Sequence, residues 1–249
     1  MPKNFGEIKG PLIVWLFFTL YLTLYVAVRR WLGAFTTFSI ESLVIESAEV
    51  YGVLLAFLVA FLIAWERQRS LRGLFSSLGF RREGIVKSVV WSLVLFPVFV
   101  AIGLISMWLA SFLLPAQSLS AFASSNGQFP LWYSCYLIVH AFFPVAVVEE
   151  AFARGYMLDR LMPEHPSSLR KALPAVLLSS FLFTVWHLPS YLAGSRFSML
   201  LAVVLLGGNV FPISVVLSIA YVRARSRNIV GPVLIHFLLD ALPVIVTLV

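Results

Sequence analysis

Residues 131–154 read LWYSCYLIVHAFFPVAVVEEAFAR. The first 18 of them contain no Asp, Glu, Lys or Arg, a run long enough to cross the hydrocarbon core of a bilayer as one helix. The stretch then closes on Glu149, Glu150 and Arg154. Similar apolar stretches lie to either side of it, at 11–28, 43–65, 88–114, 172–188, 198–222 and 229–249. Across all 249 residues, 61% are hydrophobic, 12% are charged, and the mean hydropathy is +0.96. A soluble domain carries about 45–50% apolar and about 25% charged residues. A soluble enzyme is therefore excluded. The expected fold is all-α, a polytopic membrane helical bundle of about seven (six to eight) transmembrane helices forming a single integral membrane domain over 1–249.

The charges orient this bundle. The net charge is +7 and the pI 9.9, which in a soluble chain would raise the question of nucleic acid. Here the basic residues sit in short segments between apolar runs, with no basic stripe interleaved by aromatics, so no nucleic-acid partner is expected. With the N-terminus inside and seven spans, inner segments hold 15 Lys and Arg and outer segments hold Arg29, Arg30 and Arg196. That is the positive-inside pattern. It implies a cytoplasmic N-terminus and, in a prokaryotic cell, the plasma membrane. The run 11–28 is followed by Arg29 and Arg30 rather than a small-residue cleavage site, so it reads as a retained span. The charge-free segment 115–130 reads as a loop, and 66–87, with six basic residues, as a cytoplasmic loop. Gly207, Gly208, Asn209 and Pro212 could kink or split the run 198–222; splitting it would put Arg223, Arg225 and Arg227 outside, so the charges favour seven spans. Cys135 is the only cysteine, so neither an intrachain disulfide nor a cysteine-based metal site can form.

Ionisable groups inside spans cost about 2.5–3.5 kcal/mol each on insertion scales and call for a reason. Three clusters stand out. Glu150 and Arg154 are i,i+4 neighbours on a helix and can pair. Glu149, about 100° away, has no local partner, and a carboxylate in a poorly solvated cavity suits a general base. Pro144 should bend this helix, because its ring opposes the carbonyl of His140. In the second cluster His187 follows Phe183, and Pro189 should end or kink that span. In the third, His236 and Asp240 share one helix face. Each cluster also has a plainer reading: a helix end at the interface, a hydrogen-bonded packing histidine, a polar contact between helices. Together they offer a carboxylate, two imidazoles and a second carboxylate from three helices, an inventory able to activate water and stabilise an oxyanion. On the helical wheel His140 lies opposite Glu149 and is left out. His165 reads as a solvated loop residue, and Glu46 and Glu49 as hydrated residues near the outer end of their run.

The ordered set EExxxR, FxxxH and HxxxD, each in a hydrophobic run, resembles the CPBP family of intramembrane proteases. That family includes CaaX-processing type II proteases of the Rce1 kind, bacteriocin-immunity proteins and sorting-type relatives. The motifs stand here as Glu149-Glu150-Ala-Phe-Ala-Arg154, Phe183-Thr-Val-Trp-His187 and His236-Phe-Leu-Leu-Asp240. Arg227-Asn-Ile-Val-Gly-Pro232 resembles the turn before the last motif. The resemblance covers about residues 131–245, making 131–249 the CPBP-like core and 1–130 the first three spans with their loops. It implies that Glu149 activates the attacking water with help from His187, that His236 and residue 240 stabilise the oxyanion, and that Glu150 and Arg154 hold the site in shape. The CaaX-processing members carry Asn where this chain has Asp240. An amide can donate to an oxyanion and an ionised carboxylate cannot, so Asp240 would be protonated, orient His236 or bind a metal.

A metal-free glutamate mechanism is favoured, with no cofactor firmly expected. A divalent metal such as zinc on Glu149, His187 and His236 is the alternative. The expected activity is that of an intramembrane endopeptidase cutting near the C-terminus of a membrane-embedded or lipidated protein or peptide. The alternatives are a proton-coupled transporter, which inverted repeats would favour and this sequence lacks, and a non-proteolytic scaffold or immunity protein. One geometric problem arises in a bundle of straight helices. Glu149 and His187 would lie at different depths, unless the fourth span runs past residue 150 or the 155–171 segment is partly embedded.

Overall fold

The computed structural model describes residues 5–32, 44–45, 47–113, 131–163, 168–193, 202–203, 205–225 and 227–246. Among them there is no strand. The helices are α1 (Phe5–Trp31), α2 (Ala48–Ala64), α3 (Leu71–Ser77), α4 (Ile85–Leu113), α5 (Leu131–Leu161), α6 (Leu169–Ala193), α7 (Leu206–Ala224) and α8 (Val230–Val246). Each of the seven apolar stretches contributes one helix. Five of these, α1, α4, α5, α6 and α7, are long and apolar enough to cross a membrane, while α2 and the apolar part of α8, Val230–Leu242, are shorter. The chain is an integral membrane protein. The 115–130 loop, Glu46, His165 and Arg196 fall outside the described residues.

The spans pack around α5. Helix α6 lies between α1 and α7, α4 packs on α7 and α8, and α8 returns against α5. From Val148 to Asp159 every residue of α5 is buried. The N-terminal half supplies part of this packing, since the ring of Phe18 on α1 stacks on Phe152 at 4.1 Å and lies 6.0 Å from Trp186. Lipid-length helices otherwise expose their apolar side chains outward, as Leu104, Met107 and Phe112 do on α4.

Prolines behave differently from the expectation at two points. Pro189 does not end α6, which runs on to Ala193 with Pro174 and Pro189 both inside it. Pro144 is absorbed by a π-helical segment, Ala141–Val147, and a second one follows at Ala151–Leu158. A π-turn inserts a residue and so makes room for the ring and for the backbone bond that proline cannot donate. The helix also runs 11 residues beyond Glu150, about 16 Å at 1.5 Å per residue. That extension lowers Glu149 into the bundle and resolves the depth problem.

At the basic end, side chains bind the loops to the spans. Arg160 grips Glu66 with two hydrogen bonds of 3.0 and 2.6 Å. Asp159 accepts from Tyr221 Oη at 2.9 Å and faces Arg227 at 3.4 Å and Arg81 at 3.7 Å. Asn228 caps α8 by accepting from Val230 N at 2.9 Å.

Two glycines set how closely the helices approach. A Cβ on Gly155 would sit 2.1 Å from the carbonyl oxygen of Leu78, and one on Gly231 would sit 2.2 Å from that of Ser88. Backbone cannot yield as a side-chain tip can, so Gly155→Ala and Gly231→Ala should each cost about 1–3 kcal/mol through overpacking. Gly103→Ala meets nothing within 4 Å and should be neutral or mildly stabilising. Thermal unfolding of the three variants in detergent reads the contrast; equal midpoints would contradict the close approach.

Candidate active site

Four helices converge on Glu149. The carboxylate is buried on α5. Its Oε1 accepts a hydrogen bond of 3.1 Å from Tyr51 Oη on α2. Its Oε2 lies 3.4 Å from His187 Nε2 on α6 and 3.8 Å from His236 Nε2 on α8. The residue without a local partner thus finds three from other helices.

Glu150, turned about 100° around the helix, is also fully buried and serves a different set. Its Oε1 accepts from Arg154 Nη1 at 2.7 Å and from His236 Nδ1 at 2.8 Å. Arg154, 0% exposed, donates through Nη2 to Ser214 O at 3.0 Å and Oγ at 2.8 Å on α7, and its guanidinium lies 4.9 Å from the centre of the Phe183 ring. The expected i,i+4 pair is therefore formed, and it ties α5 to α6, α7 and α8.

The hydrogen bonds assign the imidazole protons. His187 Nδ1 lies 2.8 Å from the carbonyl oxygen of Phe183. A carbonyl only accepts, so Nδ1 carries hydrogen and the neutral ring presents a bare Nε2 toward Glu149. His236 donates from Nδ1 to Glu150, and its Nε2 faces Asp240 Oδ2 at 3.4 Å as well as Glu149. With carboxylate oxygens on both sides, this ring has a place for a proton on each nitrogen. Asp240 is the outermost member, its side chain 40% exposed.

All six motif residues thus belong to one connected group. The sequence reading missed Tyr51, whose hydroxyl in a span is itself a signal, since a buried tyrosine hydroxyl needs a partner. His140 also stands elsewhere than the helical wheel places it: the π-helical segment after it shifts the phase, and its ring lies edge-on to Tyr51 with centroids 6.2 Å apart. Ser214 was likewise missed, because a lone serine in a span carries no motif. Glu49 is exposed. Among the described residues, no group of three or more His, Cys, Asp or Glu could hold a metal ion, and no step below is routed through one.

Residues 130–242, which contain α5, α6, α7 and most of α8, match the family model for type II CAAX prenyl endopeptidase, Rce1-like. This stretch is an Rce1-like domain. No curated protein and no solved structure matches the chain. The Rce1-like domain carries Glu149, Glu150, Arg154, His187, His236 and Asp240, whereas Tyr51 lies outside it. The family implies an endopeptidase working within the membrane on CAAX-type substrates.

Proposed function

We propose that the chain is an intramembrane endopeptidase that hydrolyses a peptide bond near the C-terminus of a membrane-associated or lipid-modified protein, with Glu149 as the general base. The observation that carries this reading is the approach of two imidazoles from separate helices to one oxygen of a buried carboxylate, Glu149 Oε2, at 3.4 and 3.8 Å. A water held between Oε2 and His187 Nε2 donates one hydrogen to each. Glu149 takes the proton as the water oxygen bonds to the scissile carbonyl carbon and the carbonyl electron pair moves onto oxygen. His236, held at Nδ1 by Glu150, turns its Nε2–H to that oxyanion. The carbon–nitrogen bond then breaks, and the proton on Glu149 passes to the departing amine. Asp240 orients His236 between turnovers, and Glu150 with Arg154 fixes the ring from behind. The basic loops face the cytoplasm in this reading, with the N-terminus on the same side. No metal takes part.

The test compares the termini of membrane proteins by mass spectrometry in cells carrying wild type or Glu149→Gln at matched expression. Termini present only with wild type are expected, and their sequences name the bond and whether the substrate is prenylated. Identical termini would overturn the protease reading in favour of a scaffold or a proton-coupled transporter. A second arm treats purified wild type in liposomes, with a substrate found in the first, with 1,10-phenanthroline or EDTA. Hydrolysis should continue at the same rate. Loss restored by zinc would replace the metal-free mechanism.

A further inference from the structure

We infer that Tyr51, on α2 and outside the Rce1-like domain, is a positioning residue that fixes which oxygen of Glu149 acts as the base. The inference rests on the proposed hydrolytic role of Glu149 and deepens it. The two carboxylate oxygens have different neighbours: Oε1 accepts from Tyr51 Oη at 3.1 Å, while Oε2 faces His187 and His236. The terminal torsion of a glutamate is broad and nearly two-fold, so packing alone sets it poorly. A phenol donor on one oxygen removes that freedom and leaves the other oxygen to the imidazoles.

Tyr51 is itself held in place. It sits in the π-helical turn Ala48–Gly52 at the start of α2, with His140 edge-on at 6.2 Å. Both residues border a cavity of about 430 Å³ lined mainly by apolar side chains, among them Leu55, Val139, Phe143 and Val148. The phenol therefore reaches Glu149 from an apolar wall. A hydrogen bond to a carboxylate is stronger in such surroundings than in water. The catalytic machinery then includes a side chain from the N-terminal half.

The experiment uses the full chain in liposomes and a substrate identified by terminal mass spectrometry. Tyr51→Phe removes only the hydroxyl and should lower kcat by about tenfold, one hydrogen bond to the reacting base, with KM unchanged. Its thermal midpoint should match that of wild type. Replacing Tyr51 with 3-fluorotyrosine keeps the donor and should keep the rate. In that protein the fluorine resonance should move when Glu149→Gln is added, a readout independent of turnover. An unchanged kcat in Tyr51→Phe would overturn the inference, and so would a raised KM with unchanged kcat, which assigns Tyr51 to substrate binding. A fluorine resonance indifferent to Glu149→Gln would overturn it too. If wild type hydrolyses nothing, the protease reading fails and the catalytic role of Tyr51 with it; a moving resonance would then establish the contact alone.

Discussion

Glu149→Gln is expected to lower kcat/KM by about 10²–10⁴-fold, the usual worth of a general base. The substitution keeps the shape of the side chain and leaves an amide oxygen able to accept from Tyr51 Oη. An amide cannot take a proton from water, so it loses only the chemical step. KM and the unfolding midpoint should stay near those of wild type. His187→Gln should cost less, because His187 orients the water and does not end the step holding its proton. Initial rates on a purified substrate in liposomes measure both. Glu149→Gln retaining more than a tenth of wild-type activity would remove Glu149 from the chemistry and pass the role of base to another group.

The largest loss of stability is expected at Arg154. Both members of the Arg154–Glu150 pair are 0% exposed, and no other printed ion pair is buried on both sides to that extent. Breaking a buried pair by removing one partner costs about 3–5 kcal/mol, because the remaining charge stays in the low-dielectric interior. Arg154→Met should cost about that much. It also withdraws the donors to Ser214 O and Oγ. Joining it to Glu150→Gln removes the stranded charge, and the double variant should be less destabilised than Arg154→Met alone. Unfolding in dodecyl maltoside with rising SDS compares them. A double variant at least as unstable as the single one would show that packing around the guanidinium, rather than charge pairing, dominates there.

The coupling also reaches the chemistry. Arg154 Nη1 and His236 Nδ1 share Glu150 Oε1, so a change at Arg154 loosens the ring that faces Glu149.

How far the sequence could be read follows from the range of each signal. Apolar runs are local and long, and every one of them became a helix. The motif spacings were also local: Glu150 with Arg154, and His236 with Asp240, meet at i,i+4 as helix geometry requires. Their assembly across helices was inferred from resemblance and from the cost of ionisable groups in spans, since spacing within one helix cannot reveal contacts with another. Tyr51 was not visible for that reason. It lies 98 residues from Glu149, in a run where a tyrosine passes for an apolar aromatic. The placements of His140 and Pro189 failed differently. Both assumed regular α-helical rules, whereas α5 changes its turn at residue 141 and α6 carries Pro189 internally.

The π-helical segment Ala141–Val147 has a bearing on how this chain tolerates insertions and deletions. A π-turn amounts to an α-helix with one residue too many. Deleting Phe143 would let the segment relax to ordinary turns and rotate everything after it by up to about 100° relative to the residues before it. Glu149 would then face where Glu150 now faces, or the helix would have to unwind its anchoring at Arg154 and Gly155. A one-residue deletion in α4, whose outer side chains meet only lipid, would merely change which of them do so. In α5 the count of residues between Leu131 and Glu149 is as much a part of the site as the glutamate itself.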